Sequence, residues 1–293
     1  MNEICHLLIV YNRTCRRKSY LYFVQITGGF SRGDSFGKSS EFRKLKMKRF
    51  FAIVLFTTLL CGCDGDTERL GGYAVHGIDL SHYQAKINWD TVAREGIAFA
   101  FVKATEGRQH LDKKYCENWL EMKRVGIKRG AYHFFRPAID AAEQARNFTR
   151  TVDMEYGDLP PVVDVEEDDN MSREQVIERL KTWLYLVEME YSIRPIIYTH
   201  YKFYNQYIVG EFDKYPIWIA KYGDAPPRLG SAQWTFWQYG NRGTLKGIEG
   251  YVDFNVFRGT QEDLEKICLS GAMLSGIGLP KLDSKLQSFS IRN

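Results

Sequence analysis

Apolar and polar residues alternate with period two in short runs from Val75 onward, and helix-period stretches separate these runs. Val75 to Leu80 and Ile97 to Ala104 read as strands, the second with Phe99, Phe101 and Lys103 on one face. Asp112 to Gly126 reads as a helix with an acidic N-cap, a glycine beyond its C-terminus and Tyr115, Trp119, Leu120 and Val125 as apolar positions. Ile127 to Phe135 is strand again, Ile139 to Val152 helix and Pro161 to Glu166 strand. Ser172 and Gln175 have capping-box spacing ahead of a stripe formed by Val176, Ile177, Leu180, Trp183, Leu184 and Val187. Arg194 to His200, Pro216 to Tyr222, Trp234 to Tyr239 and Tyr251 to Phe257 supply four further strands. The last three leave little room for helices between them, and a short helix from Gln261 to Leu269 closes the domain.

Strand, helix and strand in alternation imply a parallel sheet with crossover helices, and eight strands imply a barrel. Residues 73–269 are fewer than the ~250 typical of a complete eightfold β/α barrel. The expected fold is therefore α/β: an irregular, TIM-like barrel with fewer than eight helices, parallel strands first and the last strands partly antiparallel. Residues 270–293 read as a loose tail.

Upstream of the domain, Arg43, Lys44, Lys46, Lys48 and Arg49 precede an apolar run from Phe50 to Leu60, the order of a bacterial secretory signal. Eleven residues are too few to span a membrane, which takes roughly 17–25. The run ends in Cys61-Gly62-Cys63, which resembles the lipobox of bacterial lipoproteins. Cys63, preceded by the small Gly62, is the expected lipidation site, with cleavage before Cys61 or a plain signal peptide as alternatives. Translation is expected to begin at Met47, so residues 1–46 are read as an upstream extension, 47–63 as signal peptide and 64–72 as linker.

Composition sharpens this reading. The 293 residues, 44% of them hydrophobic, suffice for one or two domains with a real core. The formal charge is +4, but residues 1–50 hold 11 of 40 Lys/Arg and 3 of 36 Asp/Glu, leaving 29 against 33, or −4, beyond them. The basic excess thus belongs to the leader, and a nucleic-acid partner has no electrostatic support. Aromatic residues reach 14%, a supply of flat apolar faces for sugar rings. Of six cysteines only Cys116 and Cys268 lie in the domain, too few for a disulfide framework or a four-cysteine zinc site. Neither a metal nor a cofactor is expected, and the domain is expected to be monomeric.

Candidate chemistry lies in the acids. In Pro160 to Glu167 an apolar strand ends in carboxylates, with Asp164 and Glu166 on one face and Val163 and Val165 on the other. Two like charges held close raise the proton affinity of one, which keeps a proton donor available near neutral pH. By itself such a pair is equally an acidic turn leading into Asp168 and Asp169. Asp79 ends the first strand and Asp253 begins the last, so an antiparallel last strand brings all four acids to one barrel mouth.

Seven segments, His76 to Gln84, Phe101 to Gly107, Gly130 to Phe135, Asp158 to Glu166, Ile197 to Thr199, Trp218 to Ala220 and Trp237 to Tyr239, are collinear with one family. Together they resemble the glycoside hydrolase family 25 muramidases, or lysozymes. The resemblance implies a flattened β/α barrel that cleaves the β-1,4 bond between N-acetylmuramic acid and N-acetylglucosamine in peptidoglycan. It implies Glu166 as catalytic acid, with Asp79, Asp164 and Asp253 around it. Tyr132, Phe135, Tyr198, Trp218, Trp237 and Tyr239 are expected to line the glycan cleft, and Lys103 to project towards an acid. The expected partners are peptidoglycan glycan strands and, through the lipid, a membrane of the bacterial envelope. A glycan-binding barrel without turnover, or a hydrolase of another polysaccharide, are the alternatives.

Overall fold

The computed structural model describes residues 67–270. Met47, Cys63 and residues 271–293 lie outside the described residues. The strands are β1 (Val75–Leu80), β2 (Phe99–Glu106), a two-residue β3 (His110–Leu111), β4 (Lys128–Phe134), β5 (Val162–Asp164), β6 (Ile196–His200), β7 (Ile217–Ala220), β8 (Phe236–Gly243) and β9 (Val252–Phe257). The helices are α1 (Trp89–Arg94), α2 (Tyr115–Arg124), α3 (Ala141–Thr149), α4 (Arg173–Tyr191), α5 (Tyr201–Phe203) and α6 (Gln261–Ile267), with a π-helical turn over Tyr204–Ile208.

Eight strands close a barrel. The neighbours β1, β2, β4, β5, β6, β7 and β8 run parallel in that order, and β9 runs antiparallel to both β8 and β1. No helix separates β7 from β8 or β8 from β9, so the irregular barrel with thinning helices is the architecture observed. β3 is a hairpin extension of β2 and takes no place in the ring.

Period two decides what fills the ring. Phe99, Phe101, Val162, Ile196, Trp218, Phe236 and Phe257 form one buried cluster inside it. Two glycines make room for these rings. A Cβ on Gly77 of β1 would lie 2.3 Å from the Phe99 ring, and one on Gly130 of β4 would lie 2.3 Å from Phe101. Phe101 then stacks on Trp218 at a centroid distance of 4.4 Å. Opposite-parity residues such as Ile78, Val102, Ala131, Val163 and Ile219 face outward, where they pack against the helices.

The helix α4 supplies the largest apolar stripe. Ser172 accepts from Gln175 N while Gln175 Oε1 accepts from Ser172 N, so the capping box is made, and Ser192 ends the helix in a left-handed conformation. Val176, Ile177, Leu180, Trp183, Leu184 and Val187 are buried, each contributing roughly 1.5–3 kcal/mol of apolar burial. The acidic cap expected for α2 is displaced. Asp112 is not its N-cap, which is Lys114; its carboxylate instead accepts from Lys114 N at 2.8 Å and bonds His82 Nδ1 at 2.7 Å. Part of the expected 64–72 linker also packs on the barrel. Thr67 bridges to Gly243 and fills the space that a side chain on Gly240 would take.

Candidate active site

Three strands deliver one aspartate each to the same end of the barrel. Asp79 comes from β1, Asp164 from the end of β5 and Asp253 from the start of β9. Because β9 is antiparallel, Asp253 is the register partner of Asp79. Asp79 Oδ2 accepts from Gln238 Nε2 at 2.8 Å and from Asn255 Nδ2 at 2.7 Å. Asn255 Oδ1 accepts from Trp218 Nε1 at 2.8 Å, and Gln238 Oε1 accepts from the hydroxyls of Tyr198 at 3.0 Å and Tyr222 at 3.3 Å. Every amide in this chain of contacts therefore has its orientation set by its partners. Glu166 stands two residues past the end of β5, half-buried, near the Tyr198 hydroxyl.

Burial, then the charge of Asp253, pushes the Asp79 carboxyl well above the usual carboxylate range. Burial also pushes Asp253 up to about 6, against the hydrogen bond from Asp79 and with the Glu166 charge adding to it. Asp164 is raised well above its ordinary value by burial and by Glu166, while Lys103 opposes the shift. Glu166 is raised by burial, opposed by His200 and Tyr198. Each of the four carboxyls so placed holds a proton more tightly than an ordinary carboxyl. Asp164 Oδ1 is buried with no hydrogen-bond partner, an arrangement that a bare carboxylate oxygen tolerates poorly.

The expected site residues divide into two groups. Tyr132 lies among the acids, where burial and the charges of Asp79 and Asp164 raise its phenol. Tyr198 donates to Gln238 near Glu166, and Trp218 is buried beneath Asn255 as a floor. Lys103 points inward but is committed to Glu106, 2.7 Å away, with its ammonium 4.8 Å from the Phe134 ring centroid. Phe135, Trp237 and Tyr239, in contrast, are corrected out of the cleft. All three are buried in the layer between sheet and helices. Trp237 Nε1 donates to Lys221 O at 2.7 Å, and its ring packs on Trp234 and Tyr239. On β8 it is Gln238, between these two aromatics, that faces the acids.

Gln238, Asn255, Glu106, Tyr222 and His200 complete the mouth and did not emerge from the sequence. For Asn255 the signal existed, since it stands two residues from Asp253 and shares its face. Exposed aromatic faces stand near the ends of the mouth strands at Tyr83, Tyr222 and Tyr251. Beside Glu166 opens a polar cavity of about 450 Å³ lined in part by Arg136, Asp169, His200, Lys202 and Tyr207.

A barrel whose mouth concentrates carboxyls of raised proton affinity, with aromatic faces at its rim, is the apparatus of a glycoside hydrolase. Comparison with known proteins agrees: residues 78–248 match the model of glycosyl hydrolases family 25, and the chain belongs to that family. It is 44% identical over 198 residues to the uncharacterized protein YegX of Escherichia coli K12, spanning 66% of this chain and 73% of that one. It is 35% identical over 216 residues to lysozyme M1 of Streptomyces globisporus, spanning 67% and 73%. A solved family 25 glycosyl hydrolase from Bacillus anthracis superposes with a TM-score of 0.67 at 34% identity, covering 70% of this chain and 99% of that one.

Proposed function

We propose that this protein is a peptidoglycan muramidase, cleaving the β-1,4 bond between N-acetylmuramic acid and N-acetylglucosamine with Glu166 as general acid. Kinship with lysozyme M1 supports the substrate. The observation that carries the chemistry is the Asp164–Glu166 pair, a buried and a half-buried carboxyl at one strand end, each with its proton affinity raised. A 2-acetamido N–H donated to Asp164 favours its ionised form, and a glycosidic oxygen beside Glu166 favours a protonated acid. Substrate binding thereby drives the shared proton onto the residue that must donate it.

Asp164 ends β5 and Glu166 follows it two positions later, so they approach the scissile bond from the same side rather than flanking it. The acetamido carbonyl is then the nucleophile. Its oxygen bonds the anomeric carbon as the C–O bond breaks and Glu166 protonates the leaving oxygen. Asp164 stabilises the resulting cationic ring. Water, deprotonated by Glu166, opens that ring with the β configuration retained. Asp79 and Asp253 hold sugar hydroxyls and set the field, Tyr132 and Tyr198 contact the sugar, and the exposed faces of Tyr83, Tyr222 and Tyr251 extend the glycan platform.

Digestion of purified peptidoglycan followed by borohydride reduction tests the bond assignment. Reduced N-acetylmuramic acid is expected, and reduced N-acetylglucosamine alone would overturn it. Proton NMR of the first-formed product tests the mechanism: an initial β-anomer is expected, and an α-anomer returns the reaction to direct attack by water. The leader adds location, with Met47 as start and Cys63 lipidated, holding the enzyme in the bacterial envelope.

A further inference from the structure

The acid is exposed to a positional problem. The ladder along β5 ends with Asp164, and Val165 N still donates to Tyr198 O at 3.0 Å. Beyond it the chain turns sharply, with Asp169 and Asn170 both left-handed at φ 50° and 61°. Glu166 therefore sits where a strand gives way to a turn, although proton donation needs its carboxyl held to within a fraction of an ångström.

We propose that His200 is the positioning residue for Glu166, clamping the acid's own peptide group to the end of β6. This rests on the reading of Glu166 as the catalytic acid. His200 Nε2 lies 3.2 Å from Glu166 O, and its Nδ1 lies 3.1 Å from Phe203 N. A backbone N–H only donates and a carbonyl only accepts, so Nδ1 is bare and Nε2 carries the hydrogen. Both ring nitrogens are thereby fixed in their roles. One side is the N-cap of α5, which anchors the ring to the fold. The other side donates to the acid's carbonyl. Among the hydrogen bonds of the described residues, this one holds the peptide group of Glu166, while the Tyr198 hydroxyl, two residues earlier on the same face of β6, lies near its carboxyl and donates to Gln238.

Two substitutions separate the two contacts. In H200N the amide oxygen stands where Nδ1 stood and keeps the cap, but the side chain is too short to reach Glu166. In H200Q the amide nitrogen stands where Nε2 stood and restores the donor. Initial rates on solubilised peptidoglycan, thermal melts and pH profiles are measured for both, with E166Q alongside. H200N is expected to lose on the order of 10- to 100-fold in kcat, with KM within about twofold and a Tm within about 2 °C of the parent. Its pH–rate limb assigned to the acid shifts, and H200Q recovers most of the lost rate. Wild-type kcat and pH profile in H200N, or equal losses in both variants, would overturn the proposal. An active E166Q instead refutes the assignment of the acid. Long-range 1H–15N spectra of the unaltered protein give a reading that needs no variant: a bare Nδ1 and a protonated Nε2 are expected at His200, and the opposite tautomer overturns the clamp.

Discussion

Asp79 and Asp253 are register partners across the junction where the one antiparallel barrel strand meets β1, and their carboxyls share a hydrogen bond. The pair binds a proton more tightly folded than unfolded. Asp253, at about 6 against an ordinary 3.8, contributes stability that is full at acid pH and is lost as pH rises through about 6. Asp253→Asn is therefore expected to match the parent near pH 4 and to exceed it at pH 8, by on the order of 2 kcal/mol. Urea melts across that range check this; identical pH slopes in parent and variant would refute it.

Buried His133 acts with the opposite sign. Its ring bonds Thr105 Oγ1 at 2.7 Å and Gln144 Oε1 at 3.1 Å, and burial lowers its pKa from 6.5 to about 4. Its contribution is full above 6.5 and is lost as pH falls through 4, up to about 3 kcal/mol. Replacing it with Phe is expected to lower stability at neutral pH, since Thr105 and Gln144 lose a partner, yet to remove this acid limb. Denaturant titrations between pH 7 and 4 read the slope directly.

Asp164→Asn should trade rate for stability. An amide ends the penalty of a buried carboxyl beside Glu166, so Tm at pH 7 is expected to rise by about 3 °C. Activity falls by on the order of 100-fold, and the alkaline limb of the pH profile moves down because Glu166 loses the neighbour that holds its proton. Scanning calorimetry and rate measurements on one preparation test both halves.

Glu166→Gln keeps the shape of the side chain and loses the proton. Loss of at least about 1,000-fold in turbidity clearance is expected, with the melt unchanged within about 2 °C. Near-normal clearance would remove Glu166 from the mechanism.

Gly77→Ala probes the filling of the barrel. Its new methyl meets the Phe99 ring on a side where nothing can yield without moving Phe101 and Phe236. A loss of about 1–3 kcal/mol is expected from overpacking, measured by chemical denaturation.

Much of this architecture is legible locally. Short apolar runs mark the barrel strands, because a strand buried on both faces must supply apolar residues to ring and helices alike. The α4 stripe and its capping box are equally readable, since both are contacts within about four residues. The acids at strand ends are visible for the same reason, as abrupt changes in an apolar run.

Other features required closure of the barrel. Trp237-Gln238-Tyr239 reads as two cleft aromatics around a polar residue, yet the aromatics are packed outside and Gln238 holds Asp79. Adjacent strand residues face opposite ways, so a shift of one position exchanges cleft for core. Which of them faces inward is set by pairing of β8 with β7 and β9, contacts that no local window contains. The same holds for Asp79 and Asp253, whose raised proton affinity exists because the last strand turns back beside the first. Sequence determines which residues can carry charge at a strand end; only the closed ring, by burying those charges against one another, decides how many of them remain ionised.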